Sequence, residues 1–221
     1  MRPFLTLVAR DLRLAVRQGG ALGTALGFYM LVVTLLPLGL GADLNLLSRI
    51  AAGVLWIALL LSALLSLPRV FASDYEDGSL DILATGSLPL ELVAAAKALA
   101  HWISTSIPLA LLAPILGILL NLEIGAYPIL VATMLVGTPA VSFIGAVGAA
   151  LTLRAHRGGL LIALLVLPFY VPTLIFGIAS ISALLGPDGV PSPFLILTAI
   201  SLAAVVLGPF AAAAALRIQM Q

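Results

Sequence analysis

The chain has no cysteine and few charges: 10 basic and 9 acidic residues make up only 9% of its 221 residues. The absence of cysteine excludes disulfides, thiolate metal sites, a cysteine nucleophile and any C-x-x-C-H site for a covalently attached prosthetic group. A soluble domain carries roughly 25% charged residues. With 62% hydrophobic residues and a mean hydropathy of +1.26, this chain cannot face water on all sides, which excludes a soluble enzyme. A net charge of +1 is too weak to point to a nucleic-acid partner. Length alone is compatible with one domain or two.

What is present is long uncharged sequence. Six stretches contain no Asp, Glu, Lys or Arg: 18–42, 50–68, 98–122, 124–153, 158–187 and 189–216, the shortest being 19 residues. About 20 residues of helix cross the roughly 30 Å of a bilayer's hydrocarbon. One such stretch could be a buried soluble helix; six in succession predict six transmembrane helices. Transmembrane β-strands would alternate in polarity over about ten residues, and no segment does. The expectation is an all-α integral membrane protein, a single permease-like domain over 1–221 with little mass outside the bilayer.

The bases set an orientation. With the N-terminus inside, Arg2, Arg10, Arg13, Arg17, Arg69, Lys97, Arg154, Arg157 and Arg217 fall on the inner side and Arg49 alone on the outer side. This positive-inside bias predicts cytoplasmic N- and C-termini. The outer connections then carry one acid each, Asp43, Glu123 and Asp188, and 186–193 reads as a Gly/Pro turn. A cleaved signal peptide would have an apolar core of about 7–15 residues. The first uncharged stretch is longer, so it is expected to remain as a helix.

Two segments lie outside the spans. Residues 3–17 place Leu5, Val8, Leu12 and Ala15 on one helical face and Arg10, Arg13 and Arg17 on another, the pattern of a helix lying in the membrane interface. The inner connection between spans 2 and 3 carries Asp74, Glu76, Asp77 and Asp81 among Tyr75, Leu80, Ile82 and Leu83. Asp74, Asp77 and Asp81 share a face if the helix survives Gly78. Such a face suits docking to a basic partner surface; a solvated face and a divalent-cation site are the alternatives. The enzyme version of the metal reading is a phosphatidyltransferase of the CDP-alcohol type. Its motif needs Asp-Gly-x-x-Ala-Arg and further aspartates, and Asp77-Gly78-Ser-Leu-Asp-Ile lacks both.

Ionisable groups at membrane depth are functional candidates, and no Asp, Glu, Lys or Arg falls inside an expected span. His101, beside Trp102 at the start of span 3, reads as a boundary anchor or a ligand contact. His156 reads as part of a solvated basic turn. No catalytic residue and no metal site is assigned. The single lysine, Lys97, is not in a phosphate-binding loop, so ATP hydrolysis by this chain alone is not expected. Energy for any uphill transport would come from a partner. An acidic and apolar inner element between spans 2 and 3 suits the coupling helix of an ATP-binding-cassette membrane subunit, a two-state element biased by nucleotide.

Within the spans, Gly19, Gly23 and Gly27 recur every four residues, and Ser142, Gly145 and Ala149 share a face. Both stripes suit close helix approach inside the subunit or across a dimer. Pro168 and Pro172 in span 5 free backbone groups, making that span a candidate hinge or cavity element.

Taken in order, nine segments carry a family resemblance. They are Arg10-Asp-Leu-Arg-Leu-Ala-Val-Arg-Gln18, Thr34-Leu-Leu-Pro-Leu38, Arg49-Ile-Ala-Ala-Gly-Val-Leu-Trp56, Phe71 with Asp74-Tyr-Glu-Asp-Gly-Ser-Leu-Asp81, and Leu88-Pro-Leu90 with Lys97-Ala-Leu-Ala-His-Trp102. Gly137-Thr-Pro139, Arg157-Gly-Gly159, Leu167-Pro168 with Pro172-Thr-Leu-Ile-Phe176, and Pro209-Phe210 with Ala215-Leu-Arg-Ile218 complete the set. Over essentially its whole length the chain resembles the CcmB family, membrane subunits of haem export in bacterial cytochrome c maturation. It departs from the family pattern at Pro68, just before Arg69, and at Ser73, where acids are expected.

The resemblance implies an ABC-2-type permease in the bacterial inner membrane, working with a CcmA-type ATPase, CcmC and CcmD membrane proteins and the haem chaperone CcmE. It also implies a second copy of the chain. ATP would bind the partner, and haem would be handled rather than firmly bound. The implied coupling residues are Asp74, Tyr75, Glu76, Asp77, Gly78, Leu80 and Asp81, with His101 and Trp102 as candidate haem contacts and Met30, Met134 and Tyr170 as the few other candidate axial ligands. The energy-coupling role is favoured over a stoichiometric haem site. The alternative is a permease of the same fold that exports a lipid or hydrophobic drug.

Overall fold

A computed structural model describes residues 2–41, 43–155, 158–186, 189 and 191–220. His156, Arg157 and Asp188, read above as loop charges, lie outside the described residues. The described residues form α1 (Arg2–Gln18), α2 (Gly20–Leu40), α3 (Leu44–Ser66), α4 (Arg69–Glu76), α5 (Ser79–Thr85), α6 (Leu90–His101), α7 (Ile107–Leu119), α8 (Ala126–Leu151), α9 (Gly158–Leu185) and α10 (Ser192–Gln219). A π turn, Trp102–Ser106, joins α6 to α7. No strand occurs among them. Six helices are long and apolar enough to cross a membrane, with α6, the π turn and α7 forming one of 30 residues.

Two spans begin earlier than their uncharged stretches. Asp43 accepts hydrogen bonds from the Asn45 and Leu46 N–H groups (3.0 and 3.1 Å), capping α3 so that the helix takes in Arg49. Likewise α6 starts at Leu90, behind Pro89, and carries Lys97 within the helix. A charge ends an apolar run without ending a helix.

Hydrocarbon is as apolar as leucine, so the bundle is held by close packing and internal hydrogen bonds rather than by the hydrophobic effect. The centre is α8, flanked by α10, α9, α6 and α7. Ser142, Gly145 and Ala149 face inward as their spacing suggests, and Gly145 lies against Leu67 and the Tyr170 hydroxyl. Gly148 lies against Val166. The Gly19, Gly23 and Gly27 stripe behaves differently: among the described residues nothing approaches within 4 Å of a Cβ at Gly23 or Gly27, so these two glycines mark no close helix contact there. The exposed leucines and isoleucines of α2, α7, α9 and α10 form the outer apolar surface.

Helix α1 lies against α6. Its buried side chains are Leu7 and Val8, whereas Leu5, expected on the apolar face, is 63% exposed. The buried face is therefore rotated toward Asp11, for a reason that lies in the charges it meets.

Candidate functional site

Four charged side chains converge where α1, α4 and α6 meet. Arg10 and Asp11 come from α1, Asp74 from α4 and Lys97 from α6. Arg10 Nη2 and Lys97 Nζ both pair with the Asp74 carboxylate. Lys97 Nζ also lies 3.2 Å from Asp11 Oδ2, and Arg10 Nε lies 3.1 Å from Asp11 Oδ1. The Asp74 and Lys97 side chains are each only 4% exposed. Ser79 Oγ donates to Asp74 Oδ1 at 3.0 Å, and the Phe71 ring stands 5.9 Å from Lys97 Nζ. Two bases and two acids thus neutralise one another, and the buried Asp74 and Lys97 are paired as buried charges require, while Arg10 remains partly exposed.

One turn further along α6 the polar surface continues into the bundle. Ser66 Oγ donates to the Ala63 carbonyl (2.8 Å), so toward His101 it acts as acceptor, and His101 Nε2–H donates to it at 2.7 Å. His101 Nδ1 then accepts from Ser142 Oγ at 3.0 Å, and Ser142 accepts from Ser106 Oγ at 2.9 Å. This assignment follows from hydrogen-bond bookkeeping. It gives a neutral imidazole with both ring nitrogens occupied by serines of α3 and α8. The π turn makes the arrangement possible. Five residues of α-helix rotate by about 500°, leaving positions 101 and 106 about 140° apart, whereas an i→i+5 turn draws them toward one face. Trp102 Nε1 donates to Thr138 Oγ1 at 3.0 Å.

These positions correct several expectations. His101 is not a boundary anchor, because it is buried inside the bundle, whereas Trp102 is half-buried with its indole N–H satisfied by α8. With both nitrogens engaged, His101 offers no free lone pair to an iron. Met134 is fully buried core, Met30 faces outward, and the Tyr170 hydroxyl donates to the Val141 carbonyl at 2.6 Å. Pro168 and Pro172 lie on the exposed face of α9, which stays helical throughout, and they are not part of the cleft beside the charge cluster. The acidic face does not survive Gly78. There the backbone turns left-handed (φ 74°), α4 stops and α5 begins, burying Asp74 and leaving Asp77 and Asp81 exposed.

The element α4–α5 is nevertheless well anchored. Phe71 and Leu80 are fully buried, Tyr75 accepts a hydrogen bond from Arg154 Nε at 3.2 Å, and Asp74 holds α1 and α6. Its exposed tip presents Glu76, Asp77, Asp81 and Ile82. Ser79 N–H donates to Asp77 Oδ1 at 2.9 Å, and hydrogen bonding from Ser79 holds the Asp77 carboxyl below its usual range. Sequence reasoning missed Arg10, Asp11, Lys97 and the three serines. The available signal was Lys97 and His101, four residues apart in a helix whose one other charged residue is Glu91 near its start.

A six-helix bundle with a buried charge cluster at one end and a short two-helix element tied to it is an integral membrane protein of the permease class. The family described as CcmB protein matches residues 2–219, and the chain belongs to that family. It is 56% identical over 215 residues to haem exporter protein B of Paracoccus denitrificans, covering 97% of this chain and 99% of that one. It is 52% identical to haem exporter protein B of Rhodobacter capsulatus, with the same coverage. To the protein of that name from Escherichia coli K12 it is 42% identical, over 99% of each chain.

Proposed function

We propose that the chain is the permease subunit of an ABC-type complex in which a CcmA-type ATPase drives haem handling for c-type cytochrome assembly. In this reading the α4–α5 element is the coupling element, and the positive-inside bias puts it in the cytoplasm with both termini, in the bacterial inner membrane. CcmC- and CcmD-type membrane proteins, a CcmE-type haem chaperone and a second copy of the chain complete the assembly. The name carried by the relatives, haem exporter protein B, supports haem as the cargo. The driven step is haem export or release of the loaded chaperone.

The observation that carries the reading is the two-sided character of α4–α5. One side is locked into the bundle through Phe71, Leu80 and the Asp74 pairs; the other is an exposed acidic tip around an exposed Ile82. A force applied at the tip is therefore delivered to α1 and α6 at once. A tip bearing Glu76, Asp77 and Asp81 reads a basic cleft on the ATPase.

Reversing Asp77 and Asp81 together to lysine should weaken capture of the ATPase by on the order of 100-fold, since like charges across an interface cost several kcal/mol. Both carboxylates are exposed and outside the buried cluster, so membrane insertion and the thermal melt should be unchanged. Co-purification of the ATPase with wild-type and variant chains measures this. Undiminished capture would remove the docking role.

A further inference from the structure

A cleft of about 150 Å³ opens between α1, the start of α2, α4 and α6. Its inner wall is the charge cluster already described. Counting the charged side chains around it, Arg10, Arg69 and Lys97 face Asp11 and Asp74, a surplus of one positive charge. The surplus belongs to Arg69. Its side chain makes no ion pair or hydrogen bond among the described residues, while both acids are occupied by Arg10 and Lys97.

The Arg69 side chain is exposed at the mouth of the cleft. Its Nη1 lies 3.1 Å from where a Cβ on Gly20 would stand, so the guanidinium rests against the first turn of α2. Ser73, four residues along and on the same face of α4, also lines the cleft. The α2 terminus adds donors. Its N-cap, Gly19, supplies no side chain, and the first backbone bond runs from Gly23 N to the Gly19 carbonyl at 2.9 Å. The N–H groups of Gly20, Ala21 and Leu22 are therefore without intrahelical acceptors, and Ala21 and Leu22 line the cleft.

We propose that this cleft binds a phosphate group, presented by a phospholipid headgroup or as free phosphate. A planar guanidinium gives two parallel donors, and a hydroxyl and helix N–H groups approach from other directions. That set matches a tetrahedral oxyanion better than a planar carboxylate. The surroundings fit a lipid in particular. Leu14 and Ala15 of the amphipathic α1 line one side of the cleft, and α2 carries exposed Leu31, Leu35 and Leu38 toward its other end, an apolar track for acyl chains. The site stands apart from the acidic tip and does not depend on the ATPase reading.

The test uses the full chain purified in detergent, titrated with dioleoylphosphatidylglycerol or inorganic phosphate and followed by native mass spectrometry and thermal melting. Wild type should retain one phosphatidylglycerol, and Arg69→Gln should lower its affinity by about tenfold. Arg69→Lys, which keeps the charge but loses the fork, should fall between the two and serves if Arg69→Gln fails to fold. Arg17→Gln, exposed on α1 and outside the cleft, should stay within about twofold of wild type. An Arg69-dependent lipid adduct that resists inorganic phosphate identifies the headgroup as the source. An Arg69-dependent melting shift with inorganic phosphate and no lipid adduct identifies free phosphate. Equal losses in Arg69→Gln and Arg17→Gln, or binding indifferent to Arg69, would overturn the site.

Discussion

Lys97→Met should destabilise the protein by about 3–5 kcal/mol, the cost of leaving a buried charge without its partner. Lys97 Nζ touches both Asp74 and Asp11, and its loss leaves two carboxylates to share Arg10. Asp74→Asn should be comparably harmful, since it leaves Arg10 and Lys97, the latter 4% exposed, to share Asp11 alone. The double variant Asp74→Asn, Lys97→Met should lose much less than the sum, because two buried charges leave together. Thermal melts in detergent across this cycle measure the coupling. Simple additivity of the two single losses would show that the ion pair contributes nothing beyond its separate members. Under the proposed function the single variants should also uncouple ATP hydrolysis from haem handling, because Asp74 is the tie between α4 and the two helices it holds.

The second large effect is expected at Trp56. Its side chain is fully buried on α3 and wedged against two glycines of neighbouring spans. A Cβ on Gly177 would stand 2.6 Å from the indole Cε2, and one on Gly137 would stand 2.7 Å from Cη2. Trp56→Ala should cost about 3–5 kcal/mol through lost contacts and the cavity left behind. Gly177→Ala should cost about 1–3 kcal/mol by overpacking, because a rigid ring and two helix backbones must separate. The two changes are complementary. In the Trp56→Ala background the added methyl enters vacated space, so Gly177→Ala should become neutral or mildly stabilising. Melting temperatures of the single and double variants decide this, and an undiminished Gly177→Ala penalty in the double variant would show that the clash lies elsewhere.

Six helices were legible because charge is scarce in this chain, and each gap between charges is long enough to cross hydrocarbon. The interior was much less so. Asp74 follows Arg10 by 64 residues, and nothing local in either segment names the other as partner. The acidic run 74–81 looked like one face because helical spacing carries across Gly78 on paper. A left-handed residue there turns Asp74 inward and leaves Asp77 and Asp81 outside. His101 was misplaced for a related reason: Lys97 ended the uncharged stretch, so the helix was expected to begin at the membrane boundary beside it. The helix begins at Leu90 instead, which moves both residues inside the bundle. A lone charge in an apolar helix therefore signals a buried partner as readily as a membrane boundary.

The π turn at Trp102–Ser106 gives span 3 a property a regular helix lacks. A wide turn is one residue of slack held in a hydrogen-bonded ladder, and it can migrate along the helix by exchanging i→i+5 for i→i+4 bonds one residue at a time. Each residue the slack passes swings by roughly 100° about the helix axis, while the ends of the span stay where they are. Were the slack to pass His101, the imidazole would swing away from Ser142 with no change in the length of the span. Such a shift would reset which side chains of span 3 face the interior while both ends of the span stay in place.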